Sequence, residues 1–93
     1  MEFLDLFNKI AVLSNPALAA RALPDSMGTF IKDTDIDSLD VVMVSVYLCD
    51  AFGIAEEVGK TMPLETPQRV FDFIQANKTK DPESYEAALE AMK

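Results

Sequence analysis

The 93-residue chain has no histidine and no tryptophan, one cysteine and only three glycines. Without histidine, the commonest general base and the commonest zinc ligand are missing. A serine or cysteine nucleophile activated by imidazole is therefore excluded. Carboxylate chemistry alone needs a deep, dry pocket, and so short a chain has little room for one. The expectation is a protein that is not an enzyme, with no catalytic residues and no metal ligands to assign. Cys49 cannot form an internal disulfide, and it is expected to fill space on a helix. Bases are scarce as well: eight Lys and Arg stand against sixteen Asp and Glu, for a net charge of −8. Such a surface repels nucleic acid and anionic lipid and attracts basic protein surfaces. No apolar run approaches the roughly 18 residues that a membrane span requires. The opening "MEFLDLF" places Glu2 and Asp5 ahead of any cation, which fits neither a secretory signal nor a mitochondrial presequence. A cytoplasmic location is expected, and the "NKT" match to a glycosylation site at Asn77 then carries no weight.

What is present is apolar periodicity. About half the residues are hydrophobic, enough for one domain with a small core. Phe3, Leu6, Phe7, Ile10 and Leu13 recur at the spacing of one helix face. Asn15–Pro16 stops that helix and can cap a short turn over "ALAARAL". Pro24, Asp25, Ser26 and Gly28 mark a long loop, in which Phe30 and Ile31 are apolar islands expected to reach the core. Val41, Val44, Leu48 and Phe52 share a face of a second helix that Gly53 can end. One short turn is expected around Val58 to Met62. Thr66 as cap and Pro67 as first residue open a third helix with Val70, Phe71, Phe73 and Ile74 on its apolar side. Asp81–Pro82 repeats that device ahead of "ESYEAALEAMK", where Tyr85, Leu89 and Met92 lie on one side. The expected fold is all-α: a small bundle of three main helices plus a short helix, a long first loop and an additional C-terminal helix. Residues 1–77 form the domain and 78–93 the helical extension.

The most informative stretch is "KDTDIDSLDVV", Lys32 to Val42, with four aspartates around one serine. A calcium loop of the EF-hand type needs oxygen ligands at positions 1, 3 and 5, glycine at 6 and glutamate at 12. Asp33, Asp35 and Asp37 supply the first three, but Ser38 falls at position 6 and Val44 at position 12. A second decoy is "GIAEEVGKT", Gly53 to Thr61. It places five residues between its glycines where a phosphate-binding loop has four, and it follows a helix rather than a strand.

Ser38 stands where loop becomes helix. A serine there can cap the helix by accepting a hydrogen bond from an amide two or three residues on, with Asp37 and Asp40 favouring the positive end of the dipole. The side of this helix away from Val44 and Leu48 carries Leu39, Met43, Val46 and Asp50, with Val42 at its edge. A helix apolar on both sides is either buried all round or docks something, and a three-helix bundle cannot bury both sides. An apolar patch with an acidic fringe therefore lies beside Ser38. The helix N-terminus also suits a phosphate ester.

"DSLD", followed by an apolar helix ending in "FG", then "TP" and "VFDFI", resembles the acyl carrier protein family. Phe30 stands eight residues before the serine and Phe52 fourteen after it. Thr66, Val70, Phe73 and Ile74 fall where the family's last helix begins and packs, over residues 1 to about 77. The resemblance implies that Ser38 carries 4′-phosphopantetheine, transferred from coenzyme A by a phosphopantetheinyl transferase. It implies that an acyl group is held on the arm as a thioester and presented to acyl-loading and acyl-processing enzymes. Asp37, Leu39, Asp40, Met43 and Val46 match partner-recognition positions. Phe30, Val44, Leu48, Phe52, Leu64 and Ile74 match positions that form the core or shelter an acyl chain. The chain departs from the family at Thr34–Asp35, where Leu-Gly is usual, and at Met43, Cys49 and Ala51, where carriers of fatty-acid synthesis have acids. Those departures point to a dedicated pathway, polyketide or related, rather than housekeeping fatty-acid synthesis. An aminoacyl or peptidyl carrier and an acidic interaction module without the arm are the alternatives. A monomer is expected.

Overall fold

A computed structural model describes residues 1–92, and among them there are helices and no strands. Five α-helices follow in order: α1 (Phe3–Ser14), α2 (Ser38–Ala51), α3 (Glu56–Gly59), α4 (Pro67–Asn77) and α5 (Tyr85–Glu90). Two 3-10 turns, Pro16–Ala20 and Ile31–Asp33, lie in the α1–α2 connection. Three main helices, one short helix, a long first loop and a terminal helix form a single all-α bundle. No helix among the described residues is long and apolar enough to cross a membrane.

The helices are held by the local chemistry of their ends. Thr66 accepts a hydrogen bond from the Arg69 amide, with Pro67 as first helical residue; one orphan amide is satisfied and the proline removes another. Asn15 caps the turn at Pro16 in the same way. At the end of α2, Gly53 adopts φ +65°, and the Ile54 amide reaches back to the Cys49 carbonyl at 2.8 Å. This six-to-one closure uses glycine because a side chain is strained in that conformation.

One core joins the helices. Phe7, Leu6 and Ile10 of α1, Val44, Leu48 and Phe52 of α2 and its end, and Val70 and Ile74 of α4 are fully buried. The α5 segment joins them through Ala88 and Leu89, with Tyr85 edge-on to Phe3 at 6.4 Å between ring centres. The Thr79 and Lys80 amides both donate to the Phe52 carbonyl, which ties the approach to α5 onto the end of α2.

Several details differ from expectation. Leu13 is 41% exposed and Ala11 is buried instead, because α1 meets its neighbours along a face that has rotated past Leu13 by its last turn. The short helix α3 begins at Glu56 rather than near Val58. The cap of α5 is Ser84, which accepts from the Ala87 amide at 3.0 Å; Asp81 instead pairs with Lys78 at 2.8 Å. As a result α5 is only six residues long. The expected helix ran on to Lys93, which lies outside the described residues.

Candidate functional site

The loop ahead of Ser38 is tightly specified. Ile31 is only 3% exposed, and its amide donates to the Glu65 carbonyl at 2.8 Å. Thr34 donates its hydroxyl to the Ile31 carbonyl at 2.6 Å and accepts the Ile36 amide at 3.2 Å. Ile36 is buried and anchors the acidic stretch in the core. Its signal in the sequence is only a lone apolar residue between two aspartates. Asp35 and Ala22 form a reciprocal clip: the Ala22 amide donates to the Asp35 carboxylate and the Asp35 amide to the Ala22 carbonyl, each at 2.8 Å.

Phe30 corrects the expectation that it lines the core. It is 52% exposed, with Lys32 Nζ 5.8 Å from its ring centre. Phe30 has extended backbone, so it and Ile31 point to opposite sides. The Ile31–Glu65 hydrogen bond fixes which of the two faces inward.

The four aspartates do not converge. Asp35 is clipped to Ala22, and Asp37 Oδ1 accepts the Asp40 amide at 2.8 Å. Asp40 is half-buried, with Asn15 Nδ2 3.3 Å from both of its carboxylate oxygens. Among the described residues no three potential metal ligands gather in one place.

The N-cap of α2 is therefore Asp37, not Ser38. Ser38 is the first helical residue, exposed, and its hydroxyl makes no hydrogen bond among the described residues. The backbone amides of Ser38 and Leu39 also have no acceptor within the described residues. A free hydroxyl thus sits at the positive end of a 14-residue helix, beside two amides open to an anion.

From that point an apolar stripe runs down the outside of α2. Leu39 is 69% exposed and Val46 is 54% exposed; Val42 and Met43 are also exposed, and Asp50 stands at the far end. On the inner side, Val41, Val44, Leu48 and Phe52 are buried. Val44, Leu48, Phe52 and Ile74 thus form core, as expected, and Leu64 packs half-buried against it. None of the six residues expected to form the core or shelter a chain lines either of two open clefts beside α5. One cleft, of about 490 Å³, lies between α1 and α5, lined by Val12, Leu13, Leu23 and Leu89. The other, of about 390 Å³, lies between α2 and α5.

Cys49 is buried, and burial pushes its thiol pKa upward. Its sulfur lies where a Cβ on Gly59 would be only 2.8 Å away, so α3 packs against it through the absence of a side chain.

Comparison with protein-family models, with curated proteins and with solved structures gives no match.

Proposed function

We propose that the chain is a carrier protein that bears 4′-phosphopantetheine on Ser38 and presents acyl groups to partner enzymes. The observation that carries this proposal is the division of labour at the start of α2. Asp37 caps the helix, which leaves the Ser38 hydroxyl exposed and without a partner. A serine needed for capping would lose that role on esterification, whereas this one has none to lose.

The residues present fit the group. A phosphodiester on Ser38 would lie next to the free amides of Ser38 and Leu39 and within the helix dipole. When attached, the arm supplies a thiol that holds an acyl group as a thioester. The protein's own part is to hold the serine at a rigid position, to leave it open to a visiting transferase, and to offer a recognition surface beside it. Leu39, Met43 and Val46 offer that surface, with Asp37 at the serine and Asp50 at the far end. Asp40 contributes less, since Asn15 already engages its carboxylate.

The greasy character of this face supports partners of a dedicated pathway, polyketide or related, over those of housekeeping fatty-acid synthesis. The same face also suits an interaction module without an arm. The two are separated by offering the protein a fluorescent coenzyme A analogue with a broad-specificity phosphopantetheinyl transferase. A carrier becomes labelled and Ser38→Ala does not. Absence of label with several transferases rejects the carrier and leaves the interaction module.

A further inference from the structure

Two helices of this fold begin with the same pattern, an acid at the N-cap and an aspartate three residues later, and use it differently. At α1 the aspartate turns back: the Glu2 amide donates to the Asp5 carboxylate at 3.2 Å. This return bond of a capping box satisfies one of the amides that a helix start leaves over. At α2 the pair is Asp37 and Asp40. Asp37 accepts the Asp40 amide at 2.8 Å, but the return bond is not made. The Asp37 amide has no acceptor among the described residues. It joins the Ser38 and Leu39 amides as a third free donor near the Ser38 hydroxyl.

The Asp40 carboxylate is held elsewhere. Asn15 Nδ2 stands 3.3 Å from both of its oxygens. Asn15 is itself fixed at two points. Its backbone amide donates to the Ala11 carbonyl at 2.9 Å, and its side-chain oxygen accepts the Ala17 amide at 3.3 Å. With that oxygen engaged by an N–H, the amide nitrogen is the end left to face Asp40. The end of α1 thus decides where a side chain in the first turn of α2 lies. Nothing local to α2 requires this, since Asp5 shows that an aspartate at this position can reach back to its own N-cap.

We infer that Asn15 is a positioning residue for arm attachment: by holding the Asp40 carboxylate it keeps the capping box of α2 open, so that the Asp37 amide stays free and no second carboxylate lies against Ser38. The consequence for attachment rests on the carrier proposal; the control of Asp40 by Asn15 does not. In the attachment step the Ser38 oxygen bonds to the pantetheine-bearing phosphorus of coenzyme A. The pyrophosphate bond breaks, adenosine 3′,5′-bisphosphate leaves, and the hydroxyl proton passes to a base on the transferase. Donor and phosphodiester product are both anionic. A carboxylate returned to Asp37 would repel them and would take up an amide that favours them.

The test uses the full chain and Asn15→Ser, which keeps a good cap for the turn at Pro16 but loses the amide nitrogen. The first readout is NMR of the Asp37 amide, which needs no arm. In Asn15→Ser this amide should move downfield and exchange at least about three-fold more slowly, as Asp40 takes it up. The second readout is the rate of arm attachment from coenzyme A with a broad-specificity transferase, followed by intact mass. At low salt Asn15→Ser should be modified about five-fold more slowly than the wild-type chain, the effect of one added charge a few ångströms away. The deficit should shrink in about 0.5 M sodium chloride. It should vanish in the Asp40→Asn background, where Asn15→Ser no longer releases a charge; a merely structural loss would persist there. An unchanged Asp37 amide, an unchanged attachment rate, or an equal deficit in the Asp40→Asn background overturns the inference. A wild-type chain that accepts no arm rejects the carrier proposal and with it the consequence for attachment. The amide readout then still decides whether Asn15 keeps the box open, so the two failures are distinguishable.

Discussion

The carboxylate of Asp37 accepts the amide of Asp40 at 2.8 Å, spanning Ser38 without engaging it. Asp37 thereby caps α2 and leaves the adjacent Ser38 hydroxyl unengaged and exposed. Asp37→Ala should therefore destabilise the fold by about 1 kcal/mol, the usual cost of a lost cap. Ser38→Ala should shift stability by less than about 0.5 kcal/mol. Urea denaturation of both variants checks this contrast; equal losses would mean that the serine hydroxyl helps to hold the helix.

Gly53 provides a second test. Its φ of +65° is costly for any side chain, by roughly 1–2 kcal/mol. An added Cβ would also run into the Thr79 hydroxyl and the Lys80 stem. Gly53→Ala should lower the melting temperature markedly, whereas Gly28→Ala, with open space around it, should have little effect.

The helical extension makes a third. Leu89 is buried in the common core, and Leu89→Ala should cost about 2 kcal/mol or more. Leu13→Ala, at an exposed position, should stay within about 0.5 kcal/mol. Thermal melts of the two variants decide whether α5 belongs to the folded unit.

Cys49 gives a pH prediction. Burial favours the neutral thiol, so its folded pKa lies above the ordinary 9.0. As pH rises through 9.0 the unfolded thiol ionises first, so the unfolded state binds fewer protons. Stability then falls with rising pH. Cys49→Ala should flatten that decline, measured as the change in urea midpoint between pH 8 and 10. A disulfide reagent should also react far more slowly with folded than with unfolded protein at pH 8.

The excess of acids over bases makes self-repulsion sensitive to ions. Magnesium or moderate sodium chloride should raise the melting temperature by a few degrees through screening. A melting curve insensitive to both would contradict this.

Much of the fold was legible because its signals are local. Thr66–Pro67 and Asn15–Pro16 carry cap and proline side by side, and the Val41–Val44–Leu48–Phe52 face needs only helical spacing. What was not legible depends on long-range partners. Whether Phe30 or Ile31 turns inward is decided by a hydrogen bond to Glu65, thirty-four positions from Ile31. The aspartates of "DTDIDSLD" look alike in sequence; Ala22 and Asn15, brought near by the long loop and the end of α1, give them different tasks. The capping of α2 passed from Ser38 to Asp37 because both residue types cap well, so only geometry separates them. The cleft under α5 joins residues 47–51 to residues 80–92 and had no local signature.

The central claim is that the Ser38 hydroxyl is a point of attachment. The most direct measurement is the intact mass of the protein after incubation with coenzyme A and a broad-specificity transferase, with fragmentation to locate any addition. The account predicts a single phosphopantetheine on Ser38 and none on Ser38→Ala. An unchanged mass with several transferases, or an addition at another serine, would contradict it.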